Sequence, residues 1–254
     1  MAAVGVRVAG LALPKEFDVR DFISKLNRIQ DFYNFDYVGS SETIDPPDLP
    51  RGHHSLGQLL MVFKILHPES SGHRFDLGLT GEKIEDDYFS KVANHHGLIS
   101  SADTDLILKE SRKSLAKFLA FNIAETLLRL QYGHEHDTED PDVGCLFDSC
   151  YYNRSNIISG LEECNMCAEC GRILRDTKHV PREQLEATAA ILHWVRRPPA
   201  SIYLKWLSSA ALLVAGGALI FVSQLTNVGV ISLALSGWVA AIPDVSWRVT
   251  GRGR

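Results

Sequence analysis

From Ser114 to Leu174 the chain reads SLAKFLAFNIAETLLRLQYGHEHDTEDPDVGCLFDSCYYNRSNIISGLEECNMCAECGRIL. An apolar-periodic run comes first, then an acidic turn with two histidines, then all five cysteines of the protein. The cysteines fall as Cys145-x4-Cys150 and, sixteen residues later, Cys167-x2-Cys170, with Cys164 left over. Two close pairs separated by a loop suit tetrahedral coordination by four thiolates, because each short pair wraps one side of the ion. The spacing predicts a structural zinc site at Cys145, Cys150, Cys167 and Cys170. Cys164 has no partner at useful spacing and is either without a role or an alternate fourth thiolate.

Working outward, strands alternate with helices before this stretch, which predicts an α/β layer on a small sheet. Val4–Leu13 reads as a buried strand, since Arg7 and the lack of a basic start argue against a signal peptide. Val19–Phe35 has the apolar spacing of an amphipathic helix, with Phe22, Ile23, Leu26, Ile29, Phe32 and Tyr33 on one side. Asp36–Gly39 is a short strand, Leu56–Leu66 a second helix, and Arg74–Thr80 a strand with Phe75, Leu77 and Leu79 on one face. Glu82–Asp87 is an acidic loop. Gly97–Ser100 is an edge strand, Leu106–Tyr132 a single long helix, and Pro181–Val195 a helix stopped by Arg196-Arg-Pro-Pro199.

Composition changes abruptly after residue 200. From Trp206 to Pro243 no Asp, Glu, Lys or Arg occurs. Asp244 stands against Lys205, Arg248, Arg252 and Arg254, so the net charge of −5 divides into +3 after residue 200 and −8 before it. The run is longer than the roughly 20 residues of one membrane span. Thr226–Gly229 interrupts it, which predicts a membrane hairpin of about 202–225 and 228–242. Basic residues flank both ends, so the positive-inside rule places both termini and the soluble part in the cytoplasm. A reducing compartment favours metal thiolates over disulfides. Small residues throughout the hairpin favour close helix packing and a homo-oligomer. An acidic soluble part without a basic stripe excludes nucleic acid as the main partner.

The order of strands and helices, followed by Cys-x4-Cys and Cys-x2-Cys, resembles the archaemetzincins, a family of metzincin-type zinc peptidases. The resemblance covers about residues 1–175. It implies a three-layer, zincin-like α/β domain with a small mixed sheet, a long active-site-type helix and a four-cysteine zinc loop. A helix and linker at 176–200 and the membrane hairpin at 201–254 follow. Arg74–Thr80 and Gly97–Ser101 take the places of the family's strand and substrate-aligning edge strand. Laid on the family's HExxHxxGxxH helix, Glu125 falls at the general-base position and His134 at the third ligand. The first and second ligands become Ala124 and Leu128, and the turn glycine becomes Gln131. Ten residues, Glu135 to Gly144, separate His134 from Cys145, where the family has none. Two imidazoles one helical turn apart are needed to hold a catalytic ion beside the glutamate. Alanine and leucine donate no electron pair, so a second, catalytic zinc is not expected.

Three functions compete. The first is a membrane-anchored, inactive relative of these peptidases that binds or senses a peptide or protein, by strand addition near Gly97–Ser101. The second is a metal-dependent hydrolase in which His134, His136 and Asp137 replace the usual ligands and Glu125 is the base. The third is a membrane effector whose hairpin assembles in the lipid bilayer. Each residue also has a plain reading. Glu125 is a solvated or capping carboxylate, Ala124 and Leu128 are core, and residues 134–142 are a solvated acidic loop. Asp148 and Arg154 form a local ion pair.

Overall fold

The computed structural model describes residues 3–41, 53–54, 73–84, 89–133, 144–148, 154–198 and 207–215. The chain divides into two units, residues 1–196 and 197–254. The helix at Arg182–Arg196 falls in the first unit.

Its sheet is built from Val4–Leu11 (β1), Tyr33–Ser41 (β2), Phe75–Thr80 (β4), Ser90–Ala93 (β6) and His96–Ser100 (β7), in the order β2-β1-β4-β7-β6. The strands β2, β1, β4 and β7 run parallel, and β6 is antiparallel to β7. His53–His54 (β3) and Lys83–Ile84 (β5) pair in parallel as a second, two-stranded sheet. Alternation sorts the side chains. Val6, Val8, Phe75, Leu77, Leu79 and Ile99 face one large core, while Ala9, Leu11 and Leu98 face a smaller cluster with Ile84.

The large core is filled by Val19–Ile29 (α1), Leu115–Tyr132 (α3) and Arg182–Arg196 (α6), with Asp105–Ser111 (α2), Arg154–Glu163 (α4) and Ala168–Arg172 (α5) around them. A wide π-type turn, Ile173–Thr177, leads from α5 toward α6. The central helix is α3, buried at every residue from Lys117 to Leu128. It packs on α6 and across β6 and β7. Gly97 on β7 allows that approach: a Cβ there would lie 2.4 Å from Thr126 Cγ2 and 2.9 Å from Leu77 Cδ2.

Five sequence expectations are corrected. The helix predicted for Val19–Phe35 ends at Ile29, and the segment from Tyr33 onward is strand β2, longer than the predicted Asp36–Gly39. Gln30 makes the switch. Its side chain accepts from the Tyr33 N–H at 2.7 Å and donates to the Tyr33 carbonyl at 2.9 Å, replacing the helical bonds that would follow. The single helix predicted for Leu106–Tyr132 is two, broken where Arg112 takes a left-handed φ of 54° and its N–H closes on the Leu108 carbonyl. In that break the Lys113 ammonium donates to the Val195 and Arg196 carbonyls at 3.1 and 3.4 Å, capping the end of α6. The stretch Glu82–Asp87 is not loop throughout, since Lys83–Ile84 is β5. Finally, the strand containing Gly97–Ser100 is not an edge. The edge beside it is β6, which pairs Val92 with Gly97 and Ala93 with His96.

In the second unit residues 207–215 are helical, with Leu207, Leu213 and Val214 exposed. Among the described residues no helix is long and apolar enough to cross a membrane. The rest of the predicted hairpin and the helix predicted at Leu56–Leu66 lie outside the described residues.

Candidate metal centre and the helix beside it

Two distant segments supply the sulfurs. Gly144, at φ +71°, turns the chain into Cys145, which forms an isolated parallel bridge with Asn165. A side chain on Gly144 would also meet Glu163, so this turn needs glycine twice over. Asp148 fixes the turn from within: its carboxylate accepts from the Cys145 N–H at 2.7 Å. The pairing of Asp148 with Arg154 falls on a side chain outside the described residues. Cys167 is the N-cap of α5 and accepts from the Cys170 N–H at 3.4 Å, while the Cys167 N–H donates to the Cys145 sulfur at 3.3 Å.

The ligand atoms of Cys145, Cys167 and Cys170 lie within 4.8 Å of one another. Sulfurs at ~2.3 Å from a tetrahedral ion stand roughly 3.8 Å apart, so the three are placed to hold a metal ion. Cys145 and Cys170 are buried and Cys167 is half-buried. The donor chemistry agrees. The Cys170 thiol donates to the Cys145 sulfur, which pulls the Cys145 pKa down to about 6 and pushes that of Cys170 up. The thiolate is the form a metal binds. Cys164 stands apart: its thiol donates to the Leu161 carbonyl at 2.8 Å, and burial pushes its pKa up to about 11. Cys150, the expected fourth ligand, lies outside the described residues, as do His134, His136 and Asp137.

The helix α3 is different in kind. Ala124 and Leu128 are in the core, 2% and 0% exposed. Neither side chain of this pair can ligate a metal ion. Glu125 is neither solvated nor a cap. It is 4% exposed, with Oε1 3.5 Å from Nη1 of Arg129, one turn along the same helix. The same Nη1 donates to Ser90 Oγ on β6 at 3.2 Å.

Three further groupings were not foreseen from the sequence. Arg7 on β1 forks onto Asp76 on β4, with Nε 2.6 Å from Oδ1 and Nη2 2.7 Å from Oδ2; His96 Nδ1 on β7 is 3.2 Å from the same Oδ2. The Asp76 hydrogen bonds raise the Arg7 pKa. The signal was Arg7 itself, since a charge inside an apolar strand demands a buried partner. At the end of α3, Gln184 of α6 donates to Tyr33 Oη at 2.5 Å and to Gln131 Oε1 at 2.9 Å, and accepts from Tyr132 Oη at 2.7 Å. Burial pushes the Tyr33 hydroxyl pKa up. At the start of α3, burial first and the Lys113 charge second push the Lys117 ammonium down to about 8.

No family model matches the sequence, and no curated protein matches it. Two solved structures are similar to the chain. The archaemetzincin of Methanopyrus kandleri is 11% identical, over 70% of this chain and 97% of that one, with a TM-score of 0.46. The archaemetzincin of Archaeoglobus fulgidus, solved in complex with malonate, is 12% identical over 66% and 98%, with a TM-score of 0.39. The chain resembles the archaemetzincins distantly, and a likeness of this size assigns no residue a role.

Proposed function

We propose that this protein is a zinc-stabilised, metallopeptidase-like fold without a hydrolytic centre, working as a cytoplasmic peptide- or protein-binding module anchored to a bilayer by residues 201–254. The observation that carries the loss of catalysis is the apolar pair Ala124 and Leu128, sealed in the core beside a glutamate already held by an arginine. A water-activating ion has no ligand pair on this helix. The zinc is structural: Cys145, Cys167 and Cys170, completed by Cys150, would join the turn at 144–148 to α5 and the segment after α4.

The surface best suited to a peptide is the outer edge of β6, which pairs with no further strand among the described residues. An extended ligand added there would take its main-chain hydrogen bonds from an antiparallel edge. The anchor rests on the uncharged run after Lys205 and the exposed apolar residues of the helix at 207–215.

Metal analysis of the purified full chain, run beside a peptide-hydrolysis assay, tests this. The expected result is one zinc per chain, lost in Cys167→Ser and Cys170→Ser, with no zinc-dependent hydrolysis. A second ion removed by His134→Ala, accompanied by hydrolysis, would overturn the reading in favour of an enzyme with atypical ligands.

A further inference from the structure

A carboxylate as buried as Glu125 needs a compensating positive charge, since an unpaired ion away from water is costly. The four-residue spacing from Glu125 to Arg129 is that of charged pairs on one helical face, with the acid nearer the N-terminus, the more favourable order. It is offset by one residue from Ala124 and Leu128, so the polar pair occupies a face rotated from that apolar pair.

Arg129 does more than neutralise Glu125. Its Nη1 also reaches Ser90 Oγ, 39 residues away in sequence, at the first position of the edge strand. Ser90 is 3% exposed, so this bond lies under the strand and not on its outer side. Four residues long, β6 has only β7 beside it among the described residues of the sheet. A short edge strand held by one neighbour is a natural place for local opening.

We infer that Arg129 is a positioning residue that clamps the edge strand: Glu125 fixes its guanidinium, and the guanidinium holds Ser90, and with it β6, against α3. The clamp rests on the binding function proposed above for its purpose, and on geometry alone for its existence. It keeps the outer edge of β6 in one register for an incoming extended peptide. It also gives Glu125 an occupation other than proton transfer.

The test is amide exchange at Lys91–Ala93 alongside global unfolding, in the full chain. Ser90→Ala and Arg129→Met should each speed exchange at those amides by roughly tenfold, the factor that corresponds to losing one good hydrogen bond, while amides of β1 and β4 keep their protection. Arg129→Met removes the guanidinium beside the buried Glu125 carboxylate, so it should also lower the Tm. Adding Glu125→Gln to it should restore much of the Tm but not the protection of β6. Arg129→Lys, which keeps the charge without the guanidinium's reach to both partners, should keep the Tm better than Arg129→Met and still loosen β6. Unchanged exchange in Ser90→Ala overturns the clamp even if the arginine variants fail to fold. Equal, additive losses of Tm from Glu125→Gln and Arg129→Met overturn the coupling. Neither result bears on metal content, and hydrolysis by the parent protein would overturn the function while leaving the clamp.

Discussion

The cysteine centre and the helix α3 lie in one continuous stretch of sequence, yet they handle polar chemistry in opposite ways. The centre gathers its donors from either side of α4, and each sulfur is pre-positioned by backbone: Cys145 by the Gly144 turn and the Asp148 carboxylate, Cys167 and Cys170 by the first turn of α5. The helix carries its one acid in a single rigid element and neutralises it from within, by Arg129. The first arrangement asks for an external cation. The second has already supplied its own. A site's capacity for metal is therefore decided by what surrounds the donors.

The largest effect that would break this comparison is at the centre. Removing the ion with a chelator, or substituting Cys170→Ser, should cost several kcal/mol of stability, toward the ~10 kcal/mol found for isolated zinc modules. Thermal unfolding with and without chelator measures it. If the fold were indifferent to the ion, the centre would be no more structural than the helix.

Next comes the packing of α3. Gly97→Ala places a methyl 2.4 Å from Thr126 Cγ2, so strand and helix must separate. The expected cost is about 1–3 kcal/mol, read from a denaturant midpoint. Thr126→Ser removes that methyl from the other side and should recover part of the loss.

A smaller effect comes from Lys117, whose folded pKa is lowered to about 8 by burial and by Lys113. Lowering the pKa of a cation means the folded state binds fewer protons than the unfolded one above that value. Stability should therefore rise as pH goes from roughly 8 to 10, and Lys117→Met should flatten that slope. A falling slope in the parent protein would contradict the assignment.

The smallest expected effect is on zinc in Cys164→Ala. Its thiol points to the Leu161 carbonyl, outside the sulfur trio, so the zinc content should not change. Any loss of zinc would draw Cys164 into the centre and blur the distinction between ligand and spare.

Much of this was legible in the residues. The alternation in Arg74–Thr80 foretold β4 and its buried face, and the cysteine spacing foretold which sulfurs meet, for the three that the structure describes. The helix from Pro181 was read within a residue at each end. The failures share a cause. Phe32 and Tyr33 fit a helical face as well as a strand, and only the Gln30 side chain, bonded to both polar groups of the Tyr33 backbone, ends α1. The polar run Ser111–Ser114 gave little warning that α2 and α3 separate, because the bond that fixes Lys113 comes from 82 residues away. Gly97–Ser100 looked like an edge because Ser90–Ala93 is too short and mixed in character to announce itself as a strand.

By itself the sequence determined the α/β class, the sulfur donors and the absence of histidines at 124 and 128, because these depend on residue type and on spacing along one chain. Tertiary structure decided the burial of Glu125 and the bond that ties its partner Arg129 to Ser90. Whether a carboxylate is a base, a surface charge or half of a buried pair depends on the groups that surround it in space. Here Arg129 stands one turn along and Ser90 reaches in from the neighbouring strand.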